Sequence, residues 1–290
     1  MLFREWKYGV HRLSKGEINR LGFPKGVLLE VAPAEASLDS MVGMQRVLYM
    51  LQNYPGRFSF EIWRDQKFGF HFFSSSESVE GMLRGQLAAI YPQASVKRAK
   101  LSVPRLKEGE YVSSCFLTLR GVELNLKCPE DFQYDPLRHV LEAMNCHDSR
   151  IVVQVLFERL RKISKEKRIT LAQKYGDDLF FRDVGIPVLK CLVRVVAVSE
   201  DGYRARESCW HVARVFSVFD SDRCRLVPRF LSFPLLRNSF GVLSSVSRRE
   251  FPLFSTSFMV SVPELASMVH LPVGAESCGV EYVNPSLTPW

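Results

Sequence analysis

The sequence contains no Gly-Lys dipeptide. A phosphate-cradling P-loop needs that pair at the end of a glycine-bounded turn, so nucleotide hydrolysis of the Walker type is excluded for this chain. Long apolar runs are missing too, and none approaches the roughly 18 residues that a membrane-spanning helix needs. The first residues, Met1-Leu2-Phe3-Arg4-Glu5-Trp6-Lys7, lack the apolar core of a secretory leader. The expectation is therefore a soluble cytoplasmic protein, peripheral to a membrane at most. Seven cysteines stand singly, at 115, 128, 146, 191, 209, 224 and 278, with no C-x-x-C pair. That pattern predicts reduced thiols and no structural metal. Acidic residues are outnumbered, leaving a formal charge of +8, which favours polyanionic partners without specifying one.

What is present is periodic. Phe58-Ser59-Phe60-Glu61-Ile62-Trp63 and Phe68-Gly69-Phe70-His71-Phe72 alternate large apolar residues with others around the turn Arg64-Asp65-Gln66-Lys67. Such alternation predicts a half-buried hairpin with its phenylalanines on one face and His71 exposed on the other. Val79, Met82, Leu83, Leu87 and Ile90 recur at helical spacing, with Ser74 and Glu77 as an expected capping box and Tyr91-Pro92 as the stop. A strand at Val27–Val31, a helix between Leu38 and Leu51 and a short strand at Ser95–Arg98 complete a β-α-β-β-α-β order.

After a linker from Leu101 to Gly109, the order begins again. Strands are expected at Cys115–Leu119, Ile151–Phe157, Val188–Val198 and Arg225–Val227. Helices are expected after Asp135-Pro136 and from Gly202 to Phe219. The tight hairpin of the first copy is replaced by an insertion, 158–186, that opens on a basic stretch. Residues 230–258 read as an extended arm, and Ser261-Val262-Pro263-Glu264 reads as a capping box for a short helix, 262–270. The fold class is thus α+β: two tandem ferredoxin-like (βαββαβ) halves, 1–100 and 101–230, with an extended C-terminal arm, 231–290.

Catalytic signals are sparse. Cys146-His147-Asp148 and Cys209-Trp210-His211 bring thiols near imidazoles in sequence, but neighbours in a chain point apart, so they read as a helix end and a buried helix face. His270 stands where an imidazole meets the last carbonyls of a helix. The candidate nucleic-acid contacts are cationic: Arg159, Arg161, Lys162, Lys165, Lys167 and Arg168 in the insertion, with Lys97, Arg98 and Lys100 as a smaller cluster. Glu158 and Glu166 are interleaved, so the same stretch also reads as a solvated helix face. As phosphate contacts these residues would act without base specificity and weaken steeply with salt.

Several segments carry a resemblance. Val27–Val31, Phe58–Ile62 and Val79–Ala94 together resemble the region that precedes the motor in conjugative DNA-transfer ATPases of type IV secretion systems, in their archaeal and Gram-positive-like forms. Asp135-Pro136-Leu137 leading to Val152-Val153-Gln154 resembles that region's second half, and Ser261–Pro272 its closing segment. The family's membrane helices and ATPase are not found in this sequence, and no catalytic residue carries over. The resemblance implies a non-enzymatic scaffold or adaptor that works with a separate motor ATPase, with DNA contact and assembly into a ring as further expectations. No cofactor and no small-molecule substrate are expected. The alternative is an RNA endonuclease of the CRISPR-repeat type, also built on tandem ferredoxin-like halves, for which His11 is the early candidate base. Its phosphate-holding glycine loop would have to come from Gly274 and Gly279. A structural partner with no nucleic-acid contact is the third possibility.

Overall fold

A computed structural model describes residues 9–34, 40–160, 188–230, 239–252 and 256–282. The strands are β1 (Val10–Arg12), β2 (Val27–Ala32), β3 (Arg57–Arg64), β4 (Phe68–Ser74), β5 (Ser95–Ala99), β6 (Tyr111–Gly121), β7 (Arg150–Arg159), β8 (Val188–Ser199), β9 (Cys224–Phe230) and β10 (Phe258–Ser261). The described α-helices are α1 (Lys15–Asn19), α2 (Ser40–Leu51), α3 (Glu80–Ile90), α4 (Leu137–Asn145), α5 (Gly202–Val215), α6 (Ser239–Ser247) and α7 (Val262–Met268). The molecule is a mixed α+β protein dominated by one ten-stranded sheet.

Within residues 27–99 the strands lie in the order β5-β2-β4-β3, and within 111–230 in the order β9-β6-β8-β7, with every neighbouring pair antiparallel. Each stretch thus places its fourth, first, third and second strands side by side. Two separate sheets were expected, but β3 and β7 pair along their length, from Arg57↔Glu158 to Arg64↔Ile151. The pairing satisfies two rows of backbone amides and carbonyls that separate sheets would have left as open edges.

Alternation along the strands sorts their side chains onto two faces. On the front, Phe58, Phe60, Ile62, Phe70 and Phe72 join Val153, Val155, Val193 and Val195 in one core. Leu48 and Leu51 of α2, Leu83 and Leu87 of α3, Val140 and Leu141 of α4, and Val212 of α5 close it. The capping box expected at Ser74 and Glu77 is not formed. Ser74 ends β4 and bonds to Ser76, and the chain enters α3 through a 3₁₀ turn, Glu77–Val79.

The rear face departs furthest from expectation. His71 is buried there, 6% exposed, as are Ser59, Glu61, Gln154 and Arg194. Covering them is α6, whose Val242, Leu243 and Val246 pack with Leu13, Val112, Phe116, Leu156 and Leu192. The expected extended arm is therefore a helix and a strand, α6 and β10, among the described residues. Serine is a weak helix former because its hydroxyl competes for backbone groups. Here Ser245 and Ser247 donate to the carbonyls of Val242 and Ser244, so the competition is satisfied inside the helix. Leu106 of the linker packs on the same cluster, and the Ser102 carbonyl accepts from Arg249.

A polar row crosses the seam, exposed at Glu30 and buried from His71 onward. Glu30, His71, Glu61, Gln154 and Arg194 are successive cross-strand partners on β2, β4, β3, β7 and β8. Arg249, with φ +49°, grips Glu61 through Nε at 2.8 Å and Nη2 at 3.0 Å. Ser59 at 2.7 Å, Trp63 at 3.0 Å and Gln154 at 2.8 Å donate to the same carboxylate. Burial pushes the Glu61 carboxyl upward, but the Arg249 charge and these hydrogen bonds outweigh it and hold it below the ordinary carboxylate range. Arg194 bonds to Gln154, Ser245 and the Glu250 carbonyl, which ties α6 to the second stretch, and Gln154 carries the network on to Glu61 of the first.

The closing segment follows its expectation. Ser261 and Glu264 form a full capping box on α7. His270 meets the Ala266 carbonyl at 3.0 Å through Nδ1 and, further, Asp135 at 2.9 Å through Nε2. Asp135 also accepts from the amides of Leu137 and Val273, pinning this segment against the start of α4.

A candidate nucleic-acid interface

Register places several cations at one end of the sheet. Arg57 opens β3, Arg159 closes β7, Lys190 lies near the start of β8 and Lys100 follows β5. Pairing puts all four at the same end, because Arg57 faces Glu158, Glu158 faces Lys190, and Ala99 faces Leu28 at the start of β2. The insertion leaves the sheet from this end, between β7 and β8.

Arg57, Glu158, Arg159 and Lys190 line a groove of about 910 Å³ with Asn53, Pro55, Gly56, Ser75 and Leu160. The turn before β3 shapes one wall. Gly56 has φ +126°, and a Cβ there would stand 2.7 Å from Ser75 Oγ, so only glycine lets the chain turn so tightly. Ser75 then accepts from the Arg57 amide and donates its own amide to the Arg57 carbonyl, both at 2.9 Å. On the far wall, Lys190 bonds to Glu158 at 2.9 Å, and its ammonium sits 4.0 Å from the Phe251 ring centroid. One carboxylate thus lies among three cations. A groove of this charge suits a ligand carrying several negative groups.

Of the basic residues singled out from the sequence, Arg159 is in the groove. Arg161, Lys162, Lys165, Lys167 and Arg168 lie outside the described residues. Lys97 stands in register with Glu30, and Arg98 pairs with Glu77 at 3.4 Å and Glu80 at 3.2 Å, so carboxylates offset the arginine of that smaller cluster. Lys100 is exposed at the cationic end. Sequence reasoning missed Arg57 and Lys190. Lys190 did leave a signal, since Lys190 and Arg194 interrupt an apolar β-branched strand at positions that share one face.

Other candidates resolve into structure. His147 meets His211 at 2.9 Å, while Cys146 is exposed and Cys209 is buried against Cys115 at 3.8 Å. All seven cysteines are free, and among the described residues no group of three His, Cys, Asp or Glu side chains is placed to hold a metal. His11 bonds to Glu17 at 2.8 Å on β1, which pairs with Val112 at the end of β6 opposite the groove. Gly274 and Gly279 lie in the closing segment, Gly279 against Asn145. The nuclease alternative would need its base and its cations together, and they occupy opposite ends of the sheet.

Residues 30–176 match the profile of a family described as a domain of unknown function, DUF8128. The chain belongs to the DUF8128 family. The DUF8128 match includes β3 and β7, the two strands of the seam, and both Arg57 and Arg159. No curated protein matches the chain. Among the described residues, no helix is long and apolar enough to cross a membrane.

Proposed function

We propose that this protein is a non-catalytic adaptor that works beside a separate DNA-transfer ATPase, and that it contacts DNA phosphates through the cationic end of its sheet. In this reading the two stretches of the chain are ferredoxin-like units fused edge to edge, which their shared 4-1-3-2 strand order supports. The link to a DNA-transfer motor rests on the resemblance of Val27–Val31, Phe58–Ile62, Val79–Ala94 and Ser261–Pro272 to the pre-motor region of conjugative ATPases.

The observation that carries the DNA contact is the convergence of Arg57, Arg159 and Lys190 in one groove, at the end from which the basic stretch 161–168 departs. Backbone phosphate contacts by such residues fix position without reading sequence. A duplex binding assay across a salt series tests the proposal, comparing wild type with R57S/R159S/K190S. Each phosphate that the variant no longer neutralises should make the slope of log K against log salt shallower by about 0.9. A triple variant with the wild-type slope would remove the groove from the interface.

A further inference from the structure

The last two strands of the sheet carry an arginine patch that the groove does not include. Arg120 of β6 and Arg225 of β9 are direct cross-strand partners, and like charges placed opposite one another destabilise a sheet. Both are exposed, as are Arg223 in the turn before β9 and Arg229 further along it. Cys224 and Leu226 face the front core, so Arg225 and Arg229 project from the rear, where Arg229 stands opposite Phe116.

None of these four arginines makes an ion pair among the described residues. Among the described residues the nearby carboxylates close no ion pair with them. Asp220 feels the Arg225 charge and accepts from the Leu226 amide at 2.7 Å, Glu123 accepts from the Met259 amide at 3.1 Å, and Asp222 is exposed. Gly121 fixes the arrangement. Its φ is +106°, and a Cβ there would lie 2.2 Å from the Arg223 carbonyl, so the turn that carries Arg223 packs directly onto the end of β6.

A charge on an edge strand also keeps two sheets from pairing. One cation suffices for that, and Arg120 is not on the edge strand, because β9 covers it. A like-charge cost retained within the sheet, with no ion pair among the described residues to offset it, points to an anionic ligand.

We infer that Arg120, Arg223, Arg225 and Arg229 form a second phosphate-contact patch, for the backbone of duplex nucleic acid that also crosses the groove. By register the patch belongs to the same end of the sheet as Lys190, since β6 runs toward Gly121 as β8 runs back toward Val188. At this end β10 pairs with Val188–Cys191 of β8, beyond the last β6–β8 pair at Leu117 and Val193, so β10 and β6 stand between β8 and β9. That is three strand spacings, about 15 Å, and a duplex turn rises about 34 Å. One duplex therefore reaches both. The inference rests on the DNA-contact reading above and extends it to the outer edge of the sheet.

The test uses the full chain and a mixed-sequence duplex of about two helical turns. The variant R120S/R225S/R229S should bind with a salt slope shallower by about 2 to 3, while the matching Arg→Lys triple keeps the wild-type slope. Anionic phosphatidylserine vesicles form a parallel arm. A serine triple with the wild-type slope overturns the patch and, if R57S/R159S/K190S still loses slope, leaves the groove reading intact. Loss confined to vesicle binding overturns it in favour of a membrane contact. A wild-type protein that binds no duplex defeats the patch and the groove together.

Discussion

The stretches 27–99 and 111–230 share a strand order and differ at their outer edges. In the first, the edge strand β5 carries Lys97, in register with Glu30, and Arg98, which pairs with Glu77 and Glu80 from the helix side. In the second, the edge strand β9 carries Arg225 and Arg229, without ion pairs among the described residues, with Arg120 beside them. The hairpins differ in the same sense. Asp65–Lys67 closes the first in a tight turn with a hydrogen bond from the Asp65 amide to the Lys67 carbonyl, whereas the second opens into the basic insertion. One topology thus serves two outer edges: one whose arginine is paired with carboxylates, and one whose arginines make no ion pair among the described residues.

The sharpest way to break this comparison is to unfasten the cover that holds the halves together. Arg249 binds Glu61 of the first half, and Arg194 and Gln154 of the second complete the network. Arg249→Met leaves a buried carboxylate without its partner and should cost about 3 to 5 kcal/mol in a denaturant titration. A loss under about 1 kcal/mol would show that α6 rests on the sheet by apolar packing alone.

A pH series sharpens the same point. His71 lies in the first stretch under α6, its ring centroid 4.0 Å from that of Trp63 and tilted by 31°, with Nδ1 unpartnered. Burial lowers its pKa from 6.5 to about 4, with Arg249 adding to the shift and Glu61 opposing it. The unfolded chain therefore binds a proton that the folded one refuses, so stability is full above pH 6.5 and falls as pH drops toward 4. The limb should amount to about 3 kcal/mol. His71→Phe should flatten it and leave the steeper loss below pH 4.5, where Glu61 and Asp135, held low in the folded state, take up protons. An unchanged limb in that variant would assign the titration to another group.

The smallest expected effect concerns the like-charged pair. Arg225→Thr removes a repulsion and places a good strand former on β9, so the melting temperature should hold or rise by the equivalent of about 0.5 kcal/mol. A clear fall would make Arg225 a structural residue and dissolve the contrast between the two edges.

Much of the scaffold was legible in the sequence because its strands alternate and its helices recur at 3.6-residue spacing. Phe58 to Phe72, Leu137 to Met144 and the Ser261–Glu264 cap all declare themselves. Three features were not legible, each for a physical reason. The pairing of β3 with β7 joins residues far apart in sequence, and alternation reports a buried face without naming the strand beside it. Helix α6 reads Ser-Phe-Gly-Val-Leu-Ser-Ser-Val-Ser, a composition whose propensity opposes a helix and whose burial restores it. His71 pointed away from the phenylalanines as expected, but the cover that buries it comes from residues near 242–251. The groove was half legible for the same reason. Arg159 belongs to a visible basic run, whereas Arg57 and Lys190 join it only through strand pairing.

The most direct test of the central claim removes equal charge from the two ends of the sheet. One variant carries serine at Arg57, Arg159 and Lys190. The other carries serine at Arg12, which faces Tyr111, at Lys107 just before β6, and at Arg204 in the first turn of α5, all at the opposite end. Duplex binding measured across salt should lose affinity and slope in the first and keep both in the second. Equal losses in the two variants would mean that net charge alone draws DNA to the protein, and would contradict a site at the cationic end.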